Sequence, residues 1–178
     1  MMKIKSLIAV LSTVLMTSTA FAGGDHAGSH HGDADAIGQP GQAAKVGRTI
    51  TVDMTDAMRF TPADITVKQG ETIKFVVKNS GKLKHEMVLG TEKELKAHYE
   101  VMKKNPEMEH ADENMVSVPP GESGELIWQF TKAGKVSFAC LHPGHYDAGM
   151  RGAVMVAAAA TPAEMTQGEV RKIDKDNK

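Results

Sequence analysis

The chain has one cysteine, no block of basic residues and no apolar run long enough to cross a bilayer. The single cysteine, Cys140, excludes an intrachain disulfide. With 21 basic residues spread among 22 acidic ones, nucleic acid is not an expected partner. Residues 7–16 are apolar but fall short of the roughly 20 residues a spanning helix needs. Residues 157–160 form only a brief alanine patch. No membrane span is therefore expected in the mature protein.

The N-terminus has instead the layout of an export signal. Lys3 and Lys5 precede the apolar stretch, and Ala20-Phe21-Ala22 places small residues where a signal peptidase reads them. A signal peptide over residues 1–22, cleaved near Ala22, would deliver the mature chain outside the cytoplasm, most simply to a periplasm. Losing its two lysines leaves 19 basic against 22 acidic residues. An unpaired thiol in an oxidising compartment needs an occupant. A thiol of another chain, service as a nucleophile and a bound metal are the three options.

Residues 23–47 are rich in Gly, Ala, Asp and His, with too little apolar surface to offset ordering entropy. A flexible tail bearing His26, His30 and His31 is expected there, and residues 158–178 form a polar C-terminal extension. Between them, residues 48–157 alternate with period two. Ile50, Val52 and Met54 share a face, as do Ile73, Phe75 and Val77, then Leu126, Trp128 and Phe130, then Val136, Phe138 and Cys140. Ile65 and Val67 belong to another strand, and residues 152–157 to the last. Turns fall at Gln69-Gly70, Pro119-Pro120-Gly121 and Ala133-Gly134. The prediction is an all-β domain, an antiparallel Greek-key β-sandwich or barrel. One helix interrupts it: Thr91 and Glu94 have capping-box spacing, and Asn105-Pro106 ends the run of helix formers. Met54 and Met58 are expected in the core or at its edge.

The chemistry concentrates in residues 140–150, where Cys140, His145 and Met150 follow the spacing Cys-x4-His-x4-Met. A second imidazole, His85, follows the strand ending near Lys78. Two imidazoles and a thiolate with a weak axial thioether form the ligand set of a blue-copper site. Thiolate and thioether favour Cu(I), imidazole accepts both oxidation states, and a rigid loop that changes little between them suits electron transfer.

These residues resemble the cupredoxins, the family of azurin, plastocyanin and rusticyanin, over roughly residues 48–157. The loop spacing is most similar to rusticyanin, and Pro143-Gly144-His145 to azurin. The resemblance implies one type 1 copper with His85, Cys140 and His145 as equatorial ligands and Met150 as the axial one. Two departures matter. Many cupredoxins carry Asn or Ser after the first histidine, where this chain has Glu86, a residue that would favour the oxidised metal. His142 lies inside the loop and is a competitor of His145. Multicopper oxidases and copper nitrite reductases place histidine beside the cysteine, but here Ala139 and Leu141 flank it. No oxidase or reductase signature is present, a thiol nucleophile would leave Met150 without a role, and only a Cu(I)-oxidising activity stays open.

Further soft ligands lie outside the loop. Met87 follows His85 by two residues, His98 and Met102 share a helix face, and Met108 and His110 come after the helix. They fit either a second, thioether-rich copper site or ordinary packing, since Leu95, His98, Tyr99 and Met102 also trace a core-facing stripe. His26, His30 and His31 would hold metal weakly or not at all. The stretch from Met87 to the Cys140 loop also resembles small periplasmic copper-tolerance cupredoxins of the CopI type. That implies a protein that binds and redox-cycles copper in copper tolerance and homeostasis. The alternative is an electron-transfer cupredoxin shuttling between respiratory or other redox enzymes, with a redox partner protein.

Overall fold

The computed structural model describes residues 34–109 and 111–159. In chain order these form α1 (Ala34–Ile37), β1 (Gln39–Pro40), a 3-10 turn (Ala43–Lys45), β2 (Arg48–Thr55), β3 (Arg59–Thr61), β4 (Asp64–Lys68) and β5 (Thr72–Asn79). There follow β6 (His85–Gly90), α2 (Glu92–Lys104), β7 (Met115–Val118), β8 (Ser123–Gln129), β9 (Gly134–Ala139) and β10 (Arg151–Ala157). Two five-stranded sheets result, in the orders β1-β8-β5-β2-β3 and β4-β10-β9-β6-β7.

This is the expected all-β sandwich with one inserted helix. Most neighbours are antiparallel, but β2 and β5 pair in parallel, as do β4 and β10. The reason is connectivity: the chain visits the opposite sheet at β4 before returning as β5, so a simple hairpin never joins β2 to β5. The alternating residues meet between the sheets. Val52, Met54, Ile73, Phe75, Val77, Leu126, Trp128, Phe130, Val136 and Phe138 are all buried there. Phe60 stands edge-on to Phe138, and Phe75 edge-on to Phe130, the arrangement that ring quadrupoles favour. Met58 is partly buried against the same core, in a turn where its φ is 58°.

Two elements depart from the expectations. The stretch 34–47, read as part of a mobile tail, is packed structure. Ile37 is buried in the main core, the Trp128 indole Nε1–H donates to the Ile37 carbonyl at 2.7 Å, and β1 pairs with β8. One apolar side chain and one indole hydrogen bond suffice to dock a segment whose composition reads as tail. The remaining tail, with His26, His30 and His31, lies outside the described residues, as do His110 and residues 160–178.

The second is β6, all six of whose residues are buried. It runs between β9 and β7 in its sheet, with α2 packed over one side. Met87 and Leu89 enter the inter-sheet core, while Val88 joins Leu95, Tyr99 and Met102 of α2 in a second cluster. A strand covered on both faces shows no polar alternation, so period two does not reveal it. The helix itself matches the prediction. Thr91 Oγ1 accepts from the Glu94 N–H at 3.2 Å, and the Glu94 carboxylate accepts the Thr91 N–H at 3.0 Å.

Candidate metal centre

His85 opens β6, and Cys140 follows directly on β9, its partner in the same sheet. Sheet pairing therefore brings together residues that lie far apart in the chain. His145 comes from the loop between β9 and β10. The ring nitrogens of His85 and His145 and the Cys140 sulfur lie within 4.8 Å of one another. His85 Nδ1 is 3.2 Å from His145 Nδ1, which is 3.3 Å from Cys140 Sγ. His85 and Cys140 are completely buried, and His145 is partly exposed. Among the described residues this is the cluster of three such side chains able to hold a metal ion. Soft sulfur with two imidazoles, buried and convergent, suits copper.

Residues 46–157 match a family described as copper binding proteins, plastocyanin/azurin family. The chain belongs to that family. It is 53% identical to a copper-resistant cuproprotein, CopI, of Rubrivivax gelatinosus, over 85% of this chain and 94% of that protein. A copper-resistant cuproprotein CopI of Pseudomonas aeruginosa is 37% identical, over 82% of this chain and 94% of its own. Among solved structures, the reduced auracyanin of Roseiflexus castenholzii superposes with a TM-score of 0.54 at 25% identity, covering 63% of this chain and 98% of that one. No helix among the described residues is long and apolar enough to cross a membrane.

The loop from Cys140 to Met150 of this cupredoxin is stiffened by its own backbone. Cys140 N–H donates to the Met150 carbonyl at 3.1 Å, and Met150 N–H donates to the His145 carbonyl at 3.0 Å. Met150 is thereby set beside Cys140, fully buried in the main core. Gly149 takes φ +94°, which L side chains avoid, and leaves room for Arg59, whose guanidinium donates to the Ala148 carbonyl at 2.9 Å. Burial pushes the Cys140 thiol up to about 12, although the backbone N–H groups of Glu86 and His142 bonded to it pull the other way. A metal must therefore displace the thiol proton, as is usual for thiolate ligands.

Burial also lowers His145, to about 4, with His85 and His142 adding to the effect. Its imidazole is thus neutral and available to metal well below pH 7. The linkage sign follows from that depression. Below about 6.5 the unfolded chain takes up a proton that the folded apoprotein refuses until about pH 4. Apoprotein stability should therefore fall as pH drops through that window. Urea midpoints at pH 7, 5.5 and 4.5 for wild type and His145→Gln test this, and equal slopes for the two proteins would refute it.

Three side chains outside the expected ligand set shape the site. Glu86, buried beside His85, accepts the Leu141 N–H on Oε1 at 3.0 Å and so anchors the residue after the cysteine. Its other oxygen is 4.0 Å from His142 Nε2, so His142 faces Glu86 while standing edge-on to His145. Tyr99 of α2 donates from its hydroxyl to Asp147 at 2.8 Å and accepts the Gly144 N–H at 2.9 Å, with its ring stacked on Tyr146. The inserted helix therefore braces the loop between Cys140 and Met150. Tyr99→Phe should cost about 0.5–1.5 kcal/mol, since water can replace the hydroxyl at exposed Gly144 and Asp147, and should speed amide exchange at Gly144. Unchanged exchange would show that the loop holds itself. Asp56 is the third, with its Oδ1 3.1 Å from His85 Nε2. Its only sequence signal is its place in a turn, which says nothing of a histidine 29 residues away.

Of the residues considered for a second copper site, the described ones take different surroundings. Met87 is sealed in the main core, and Met102 packs with Leu95 and Tyr99 in the helix-side cluster. His98 is half-buried, and Met108 is exposed beside the groove that holds Glu86 and His142. Leu95, Tyr99 and Met102 thus form the buried stripe that helical spacing suggests.

Proposed function

We propose that this protein is an exported type 1 copper protein that binds and redox-cycles copper in periplasmic copper tolerance. His85, Cys140 and His145, together with Met150, would hold the metal. The observation that carries the reading is the convergence of two imidazole nitrogens and one thiol within 4.8 Å, with His85 and Cys140 buried and His145 partly so. Copper bound there would supply a one-electron couple. The protein's part is to exclude water, to keep His145 neutral, and to hold the loop still through its hydrogen bonds and the Tyr99 brace, so that little rearrangement accompanies a change of oxidation state.

Tolerance is favoured because the relatives matched over most of this chain are named copper-resistant cuproproteins. The export-signal layout of residues 1–22 supports the periplasm. The buried apolar neighbours of Cys140, Ala139 and Leu141, offer no bridge to another copper and favour a lone centre over an oxidase cluster. An electron-shuttle role draws on the same braced, partly exposed His145.

The experiment joins chemistry to phenotype. Copper-loaded protein should show an intense thiolate-to-copper band in the visible and a matching spin-resonance spectrum. A deletion strain should grow poorly in high copper and be rescued by the exported chain, which cell fractionation should place in the periplasm. Absence of the band would sink the site. A normal band with unimpaired growth, together with rapid electron exchange with a respiratory partner, would select the shuttle. Stoichiometry above one copper that falls in His98→Ala would establish a second site.

A further inference from the structure

Asp56 occupies the turn between β2 and β3, where its carboxylate meets two separate demands. It accepts the Lys82 N–H on Oδ2 at 2.8 Å and the Leu83 N–H on Oδ1 at 3.2 Å. It also faces His85 Nε2 at 3.1 Å. Two backbone N–H donors suit the ionised carboxylate that aspartate ordinarily carries at neutral pH.

The surrounding loop is built to admit this carboxylate. A Cβ on Gly81 would land on the Asp56 side chain, so only glycine lets it approach. Buried Asn79 pins the same loop by donating to the Leu83 carbonyl at 2.7 Å and the Val118 carbonyl at 2.9 Å. Capping the loop would require only the two backbone contacts. The third contact, to a fully buried histidine, has a further consequence. An Nε2–H donated to Asp56 leaves His85 Nδ1 as a lone pair, and Nδ1 is the atom that faces His145.

We propose that Asp56 is a positioning residue for the copper, fixing the His85 tautomer that ligates and biasing the bound metal toward Cu(II) by its charge. The inference rests on the copper reading above. A carboxylate behind an imidazole makes it a stronger donor, and removing such a partner typically changes metal affinity about 10–100-fold. The bias has a definite sign: Cu(II) carries one more positive charge than Cu(I), so an anion behind the ligand stabilises the oxidised ion more. Asp56 is partly solvent-exposed, with 36% side-chain accessibility, so water screens its charge and the lower end of that range is expected.

The test compares wild type with Asp56→Asn and Asp56→Ala. Cu(II) and Cu(I) affinities and the reduction potential are measured on the loaded proteins, and the His85 ring nitrogens are observed by nitrogen-15 NMR in the apoproteins. Asparagine retains an oxygen for the His85 N–H, so the tautomer should persist. The Cu(II)-to-Cu(I) affinity ratio should nonetheless fall about tenfold, raising the potential by about 59 mV. Alanine should in addition give mixed tautomers in the apoprotein. If the alanine variant does not fold, Gly81→Ala displaces the same carboxylate and should reproduce the mixed tautomers. A wild-type affinity ratio and potential in Asp56→Asn would overturn the proposal. Loss of the thiolate band in wild type would instead overturn the copper reading, and the apoprotein spectra would still report whether Asp56 holds His85.

Discussion

Cys140→Ser is expected to abolish the thiolate-to-copper band and to weaken copper binding well beyond the about 10–100-fold that loss of an outer partner costs. Serine is nearly isosteric with cysteine, but its hydroxyl does not ionise to give a soft anionic ligand. His85, His145 and Met150 would remain, a set lacking the one donor whose charge partly neutralises the metal. The apoprotein should stay folded. Cys140 is buried with the Glu86 and His142 backbone N–H groups directed at its sulfur, and a serine oxygen can accept the same donors. A stability change of no more than about 1 kcal/mol is expected, measured by thermal melting alongside copper titration followed by visible absorption. A variant that kept the visible band would show that another residue supplies the charge-transfer ligand.

Phe138→Ala should be the most costly of the core changes considered, at about 3–5 kcal/mol. Phe138 is fully buried, stands edge-on to Phe60 with ring centroids 5.0 Å apart, and fills the space beside Gly152, where a Cβ would strike its ring. It lies on β9 two residues ahead of Cys140 and opposite Leu89 of β6. The cavity would therefore open at the junction of the two strands that deliver Cys140 and His85. A large drop in the urea midpoint of the apoprotein is expected, together with broader copper spectra as the ligands lose their common frame. A loss below about 1 kcal/mol would mean that the neighbouring side chains collapse into the space.

Legibility of the fold depended on how each element is solvated. Strands with one face toward water, such as β2 with Val52 and Met54 inward, show period two and are read directly. The helix announces itself through Thr91 and Glu94, because a capping box is a local device four residues long. β6 does not, since burial on both faces erases the alternation. Nor does the docking of Ile37, which depends on Trp128, distant in the chain.

The sequence by itself determined the chemistry of the loop. Cys140, His145 and Met150 stand within eleven residues, a span in which chain geometry holds them near one another. It also set the core pattern, and with it the sandwich. What only the tertiary structure decided is the rest of the site. His85 meets Cys140 across a sheet, Glu86 anchors Leu141, Tyr99 grips Gly144 from a helix, and Asp56 reaches His85 from a turn. Each is a contact between residues too far apart in the chain for spacing to carry the information. The register of paired strands and the packing of a helix onto them set those distances, and neither is written in any single stretch of residues.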